Sequence, residues 1–387
     1  MQFLLSAGEA SGDTYGAQLV QALIQIAPGA KFFGMGGEKM AAAGCELLVH
    51  ANEVAVVGLV EVVTHLPAIR SRFNQLVAEA ARRKPDAAVL IDFPEFNLRL
   101  ARELHRLNIP VFYFVSPQIW AWRTGRVKQI QKYVRKMIVI FPFEQEFYKR
   151  HGVEASYVGH PLARLPEPDV SRADFAVKFQ LGPGKLDPAK QWIALLPGSR
   201  RKEVRLNLPP VLEAAALLRK QADYEFVLPV ASTLDQEWLR REIAPSSVPI
   251  NLSNDSRATL KHCRAAVVAS GTATVEAALS GTPFVIVYRL APLTWLLGRP
   301  LVKLDTFGMP NLIAGKKIVP ELIQQDCTAA NIAGALAAII ADGPQRSQMQ
   351  ADLRLVRERL SGSPGGEAPA MLAAREIVQS MKMGSMK

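Results

Sequence analysis

The sequence predicts an α/β protein made of two doubly wound, mostly parallel sheets, each with helices on both faces. Three observations predict it. Short apolar runs alternate with segments of helical apolar spacing along most of the chain. The strand read at Asp86–Ile91 is apolar almost throughout, as expected where helices cover both faces of a parallel sheet. A chain of 387 residues exceeds what one hydrophobic core organises.

Taken in order, Phe3–Ser6 is the first strand and Ala7-Gly8-Glu9-Ala10-Ser11-Gly12-Asp13 a glycine-bearing loop, with a helix from Asp13 or Thr14 to Ile26. Lys31–Met35 is the second strand. A helix over Leu66–Arg83 ends before Pro85, which cannot continue it. Asp86–Ile91, Val111–Val115, Lys136–Phe141 and Tyr157–Gly159 are further strands, and Leu98–Leu107 is helical. This makes 1–165 the first domain. The proline-rich 166–190 reads as a linker with a short helical piece at Ser171–Phe179. A second alternating series fills 191–360, with strands at Trp192–Leu196, Phe226–Val230, Val248–Leu252, Ala265–Ala269 and Phe284–Tyr288. Ser361–Gly366 breaks the chain before a last helix, so 361–387 should dock on the first domain or on another subunit.

Composition bounds the function. An apolar content of 49% and an aromatic content of 7% suit an ordinary globular protein, and no run of about 18 apolar residues predicts a membrane span. The N-terminus lacks the basic stretch of a secretory signal. Cys45, Cys263 and Cys327 are odd in number and far apart, which fits a reducing, cytoplasmic setting. A net charge of +11 points to a polyanionic partner: a phosphorylated substrate, an anionic membrane surface or nucleic acid. No zinc-finger spacing, RNP-type run or long basic tract is present, so no nucleic-acid partner is expected. The histidines are scattered, with no metal-ligand spacing and no Asp-x-Asp pair, so neither a metal nor a cofactor is expected.

Open α/β sheets bind ligands beyond the carboxyl ends of their strands. In the first half that rule selects the loop with Gly8, Glu9, Ser11 and Asp13, then Asp92–Asn97, then Ser116–Arg123. The first loop is not G-x-G-x-x-G, which argues against a dinucleotide. Glu9 and Asp13 either meet a sugar hydroxyl or belong to a structural turn. Asp92, ending a buried strand, is either a general base towards an alcohol or a helix cap, a task Glu95 or Asn97 can also serve. Trp120, Trp122 and Arg123 mix amphipathic rings with charge, as a membrane interface requires, although a core tryptophan is the plain alternative. The stretch Tyr288–Lys303, with Trp295 between Arg289, Arg299 and Lys303, is a second membrane-facing patch or an ordinary core helix. In the second half, Gly198-Ser199-Arg200 suits a diphosphate. Ser270-Gly271-Thr272 brings a helix start with unpaired N–H groups close to a phosphate. Glu276, one turn on, either accepts from a ribose diol or complements the helix dipole.

The set Ala7–Asp13 (AGEASGD), Asp92–Asn97 (DFPEFN), Ser116–Arg123 (SPQIWAWR), Gly159-His160-Pro161, Leu195–Arg200 (LLPGSR), Ser270–Glu276 (SGTATVE), Tyr288-Arg289 and Pro310-Asn311-Leu312 resembles the lipid-A-disaccharide synthase family, in order and over most of the chain. The resemblance implies a GT-B fold, two Rossmann-like domains facing across a cleft. It implies an inverting glycosyltransferase of lipid A biosynthesis that joins UDP-2,3-diacylglucosamine to 2,3-diacylglucosamine 1-phosphate (lipid X) and releases UDP. It also implies action at the cytoplasmic face of the inner membrane and homodimers that exchange C-terminal segments. Onto matching positions it places Asp92 as the base and Arg200, Gly271, Thr272, Glu276, Arg289 and Asn311 at the donor. Glu95 and Gln118 stand where the family often has aspartate and serine. The rival expectations are another enzyme on this scaffold, such as a UDP-sugar 2-epimerase or a lipid-linked glycosyltransferase, and a non-catalytic UDP-binding protein of the membrane surface.

Overall fold

The computed structural model describes residues 1–54, 59–122, 124–181, 186–291, 295, 306–362 and 366–384. The chain divides into two compact units, Met1–Arg164 with Leu360–Lys387, and Leu165–Arg359.

Among the described residues, the first unit holds a seven-stranded sheet. Its strands are β1 (Gln2–Ala7), β2 (Lys31–Gly36), β3 (Cys45–His50), β4 (Ala87–Ile91), β5 (Val111–Phe114), β6 (Lys136–Val139) and β7 (Ala155–Tyr157), in the order β3-β2-β1-β4-β5-β6-β7. Every pairing is parallel. The central strands β4 and β5 (AAVLI and VFYF) are buried at every position, the pattern of strands covered on both sides. The helices α1 (Ala10–Ile26), α2 (Glu38–Ala42), α3 (Leu59–Arg83), α4 (Pro94–Arg106), α5 (Ile119–Trp122), α6 (Val127–Tyr133) and α7 (Pro142–Arg150) connect them. Helix α4 starts on Pro94, whose missing N–H costs nothing in a first turn. It turns Leu100, Ala101 and Leu104 into a core with Leu90, Tyr113, Met137 and Ile130. Arg99, Arg102 and Arg106 lie on its other face. Three helices start earlier than expected: α1 at Ala10, α4 at Pro94, and α3 at Leu59 with Pro67 inside it, while β6 ends at Val139 and β7 lies at Ala155–Tyr157.

The second unit carries a six-stranded sheet among its described residues. Its strands are β8 (Trp192–Leu196), β9 (Glu225–Pro229), β10 (Ile250–Ser253), β11 (Ala265–Ala269), β12 (Phe284–Tyr288) and β13 (Glu321–Ile323), ordered β10-β9-β8-β11-β12-β13 and parallel throughout. Helices α8 (Arg172–Lys178), α9 (Arg201–Arg219), α10 (Gln236–Ile243), α11 (Ser256–His262), α12 (Thr272–Ser280), α13 (Met309–Ala314), α14 (Ala329–Ile340) and α15 (Pro344–Leu360) accompany it. The described part of 166–190 belongs to this unit. Phe175 of α8 is fully buried against Trp192, and the Arg172 guanidinium lies 3.6 Å from the Trp192 ring centroid. Arg172 also donates to the carbonyls of Pro188 (2.9 Å) and Lys190 (2.5 Å).

The last helix, α16 (Pro369–Gly384), returns to the first unit. It packs on α1, burying Ala373, Ala374 and Ile377 completely. Glu376 receives Lys136 Nζ at 2.7 Å and Ser156 Oγ at 2.9 Å, and Arg135 donates to the Ser380 carbonyl at 2.5 Å. Among the described residues no helix is long and apolar enough to cross a membrane.

Candidate active site

In the first sheet the strand order turns back between β1 and β4, where Ala7 pairs with Ile91. The carboxyl ends on either side of such a switch point diverge and leave room for a ligand. Asp92 follows Ile91 at φ 46° and Phe93 follows it at φ 48°, two successive left-handed residues that are not glycine. Side chains rarely tolerate that conformation, and it persists only where surroundings over-determine it. Here they do. The Asp92 carbonyl accepts from Tyr113 Oη at 2.6 Å and from Asn97 Nδ2 at 2.8 Å, while the Asp92 N–H donates to the Phe114 carbonyl at 3.1 Å. The Phe93 ring lies over Gly8 so closely that a Cβ there would sit 2.3 Å from it. The turn presents the Asp92 carboxyl, which burial, helped by the negative charge of Glu9, pushes up from 3.8 to about 7 against one hydrogen bond from the Phe93 N–H. A carboxyl poised near neutrality is suited to accept a proton from an alcohol.

Several expected site residues turn out to hold this turn in place. Asn97 is fully buried, accepts from Ser6 Oγ at 2.6 Å and reaches the Ser6 and Ile91 carbonyls as well as Asp92. It joins β1 to β4 and does not face a substrate. Asp13 is corrected in the same way. Its carboxylate accepts from the N–H groups of Gly37 (2.7 Å), Lys39 (3.1 Å) and Met40 (3.0 Å), so it caps α2 and is not free for a sugar. Glu9 and Ser11 are exposed at the start of α1 and stay available. Buried His160, which burial pushes down to about 3, accepts from the Leu162 N–H at 3.2 Å and is a structural residue.

Ser116, two residues beyond β5, is buried and shares a 2.8 Å hydrogen bond with Tyr148 Oη. Trp120 is half-buried. Its indole N–H donates to Glu144 at 3.1 Å and its ring meets Phe143 edge-on at 5.0 Å. Part of the ring is thus packed within its own unit. Arg123, the Trp122 side chain and residues 292–294 and 296–305 lie outside the described residues. Trp295 is half-buried, its ring 6.2 Å from that of Phe307.

The second sheet turns back between β8 and β11, where Leu196 pairs with Val268. Beyond β8, Gly198 takes φ 137° and Ser199 N donates to Glu203 at 3.1 Å. Arg200, at the N-cap of α9, reaches Glu203 only at 3.4 Å and keeps 61% of its side chain exposed. Beyond β11, Ser270 donates to the Phe307 carbonyl at 3.2 Å and Gly271, at φ 142°, opens α12. Among the described residues no side chain caps that helix, which leaves its first N–H groups and positive end open at Thr272. Glu276, whose carboxyl burial pushes up against a 3.0 Å bond from Ser256, lies one turn along. These elements suit a nucleoside diphosphate: N–H groups and a guanidinium for phosphates, and a carboxyl for a diol.

Asn311 requires correction. It is fully buried, donates to the Val319 carbonyl and to Glu321, and accepts from the N–H groups of Ile318 and Val319. With both donors and both lone pairs spent, its amide has no hydrogen bond left to offer a donor, and it holds Glu321 in place. The sequence reading missed its partner Glu321, which binds Thr306 and the N–H groups of Phe307 and Gly308 (2.9 Å each). It also missed Asn207, which donates to the Pro197 carbonyl at 2.9 Å and accepts from the Arg289 N–H at 2.9 Å, tying the β8 end to the β12 end. A signal existed for Asn207: it shares an apolar helix face with Val204, Leu208 and Val211, where a polar residue needs a buried partner. Arg289 is half-buried, its Nε 3.4 Å from the Gln324 carbonyl. Among the described residues no group of three or more His, Cys, Asp or Glu is placed to hold a metal ion.

Solved structures share this fold. The glycosyltransferase of kitacinnamycin superposes with a TM-score of 0.63 at 15% identity, covering 98% of this chain and 99% of its own. A UDP-GlcNAc 2-epimerase from Neisseria meningitidis superposes with a TM-score of 0.61 at 13% identity, covering 99% of this chain and 100% of its own. Two chemistries on one GT-B-type scaffold mean that fold alone does not select the activity. Sequence similarity does select a family. The lipid-A-disaccharide synthetase family model matches residues 3–370. A lipid-A-disaccharide synthase of Koribacter versatilis is 53% identical over 381 residues, covering 98% of each chain. The chain belongs to the lipid-A-disaccharide synthase family.

Proposed function

We infer that the chain joins UDP-2,3-diacylglucosamine to lipid X, giving lipid A disaccharide 1-phosphate and UDP with inversion at the anomeric carbon. The observation that carries this reading is the Asp92 carboxyl, raised towards 7 on a strained turn at the switch point of the first sheet, in a chain of this family. The acceptor hydroxyl gives its proton to Asp92 as its oxygen bonds the anomeric carbon, and the bond from that carbon to the diphosphate breaks. The leaving UDP carries the electron pair. Arg200 and the open N–H groups at Gly271 and Thr272 stabilise its charge. Glu276 takes the ribose, Gly198 and Ser199 let the phosphates approach, and Arg289 lines the same edge. Glu9, Ser11 and the loop from Ser116 flank the acceptor. In this reading, the unit beginning at Met1 takes the acceptor and the unit beginning at Leu165 takes the donor.

Both substrates carry acyl chains, so the same reading has the protein act peripherally at an anionic surface, the cytoplasmic face of the inner membrane, drawn there by its net charge of +11. A homodimer belongs to this reading as well. The deciding experiment mixes purified protein with the two acylated sugars and follows UDP release together with the mass of the product. Release of UDP that depends on lipid X, with a disaccharide product, is the expected result. UDP release without lipid X, or none at all, would sink the proposal.

A further inference from the structure

Outside the catalytic turn, the carboxyl most at odds with its surroundings is Glu144, at the third position of α7 and 1% exposed. No salt bridge reaches it among the described residues. Oε1 accepts from Trp120 Nε1 at 3.1 Å and Oε2 from the Phe141 N–H at 3.2 Å. Ser116, whose hydroxyl donates to the Pro117 carbonyl at 3.0 Å and meets Tyr148 Oη at 2.8 Å, stands beside it. Burial pushes its ionisation up to about 8 against these bonds, so the carboxyl carries its proton near neutrality. Placing a carboxyl in such a site costs free energy that an exposed helix-capping carboxylate does not incur. What the site organises is a loop on another element. Ser116 and Trp120 both belong to the segment leaving β5, and the carbonyl of Phe114, the last residue of β5, is the one that the Asp92 N–H grips at 3.1 Å.

We propose that Glu144 is a positioning residue for the acceptor: by holding Trp120 it sets the loop Ser116–Trp122 as a wall of the acceptor site beside Asp92. The proposal rests on the reading that the acceptor docks at this edge. Glutamine at the position keeps an oxygen for the Trp120 N–H, whereas alanine leaves that N–H without a partner. Steady-state kinetics with lipid X and UDP-2,3-diacylglucosamine separate the cases. Glu144→Ala should raise the acceptor KM about tenfold, the scale of one lost hydrogen bond with a group left unpaired. The donor KM should stay within about twofold, and Glu144→Gln should recover most of the loss. Trp120→Phe breaks the same bond from the loop side, so its effect should match that of Glu144→Ala and not add to it. That variant also stands in should Glu144→Ala fail to fold. A lowered melting temperature in Glu144→Ala with the acceptor KM unmoved would reduce Glu144 to a helix cap. Acceptor KM raised by Trp120→Phe but not by Glu144→Ala would overturn the proposal and leave the acceptor reading standing. Acceptor KM unmoved by both, and by Trp120→Ala, would remove the acceptor reading and the proposal with it.

Discussion

Asp92 and Phe93 adopt a backbone conformation that each disfavours, and the bonds from Tyr113 and Asn97 and the bond to the Phe114 carbonyl keep them there. The arrangement has a pH signature. Only ionised Asp92 accepts a proton, so kcat/KM should rise with pH through an apparent value near 7. Asp92→Asn should retain UDP binding and lose about two to four orders of magnitude in turnover. Stability runs the opposite way. The folded value lies above the ordinary 3.8, so the contribution of this group is full below that pH and is lost as pH rises through 7. Melting curves should therefore find Asp92→Asn more stable than the parent at pH 8, the gap closing near pH 4. Asn207 works by pairing alone. Asn207→Ala leaves the Arg289 N–H and the Pro197 carbonyl without their partner, so UDP affinity measured by calorimetry should fall about tenfold. Gly8→Ala pushes a methyl into the Phe93 ring and should lower turnover without changing UDP affinity.

Among the elements, the central strands were legible because burial on both faces makes them apolar throughout: β4, β5, β11 and β12 stand close to where apolar runs placed them. The edge strands β3 and β13 were not, because half-exposed positions dilute the pattern. Loops at strand ends were legible through glycine and charge, so Asp92, Arg200 and Gly271 could be picked out. The work of Asn97, Asp13 and Asn311 was misread, and Glu144, Glu321 and Asn207 were passed over, because what each side chain does depends on partners brought near only by folding. Asp13 meets Met40, 27 residues on, and Trp120 meets Glu144, 24 residues on. Helix α16 shows the same limit: the chain break before it said that it docks, while Lys136 and Ser156 help decide where. Ile377 is fully buried there, so Ile377→Ala should cost about 2–5 kcal/mol in denaturant unfolding followed by a probe in the first unit.

For the whole molecule, a charge of +11 makes the proposed surface association a matter of ionic strength. Flotation with vesicles rich in phosphatidylglycerol should retain the protein at about 50 mM salt and release most of it at about 500 mM, as the Debye length shrinks. Vesicles of phosphatidylcholine alone should retain little, and equal retention on both would detach the charge from the association. The discontinuity of the first unit bears on how the polypeptide is made. Translation delivers β1 and α1 before the second unit and α16 after it. Throughout the making of the second unit, the flank of α1 on which α16 packs is without its partner helix. The first unit can therefore close only after the whole of the second has been made.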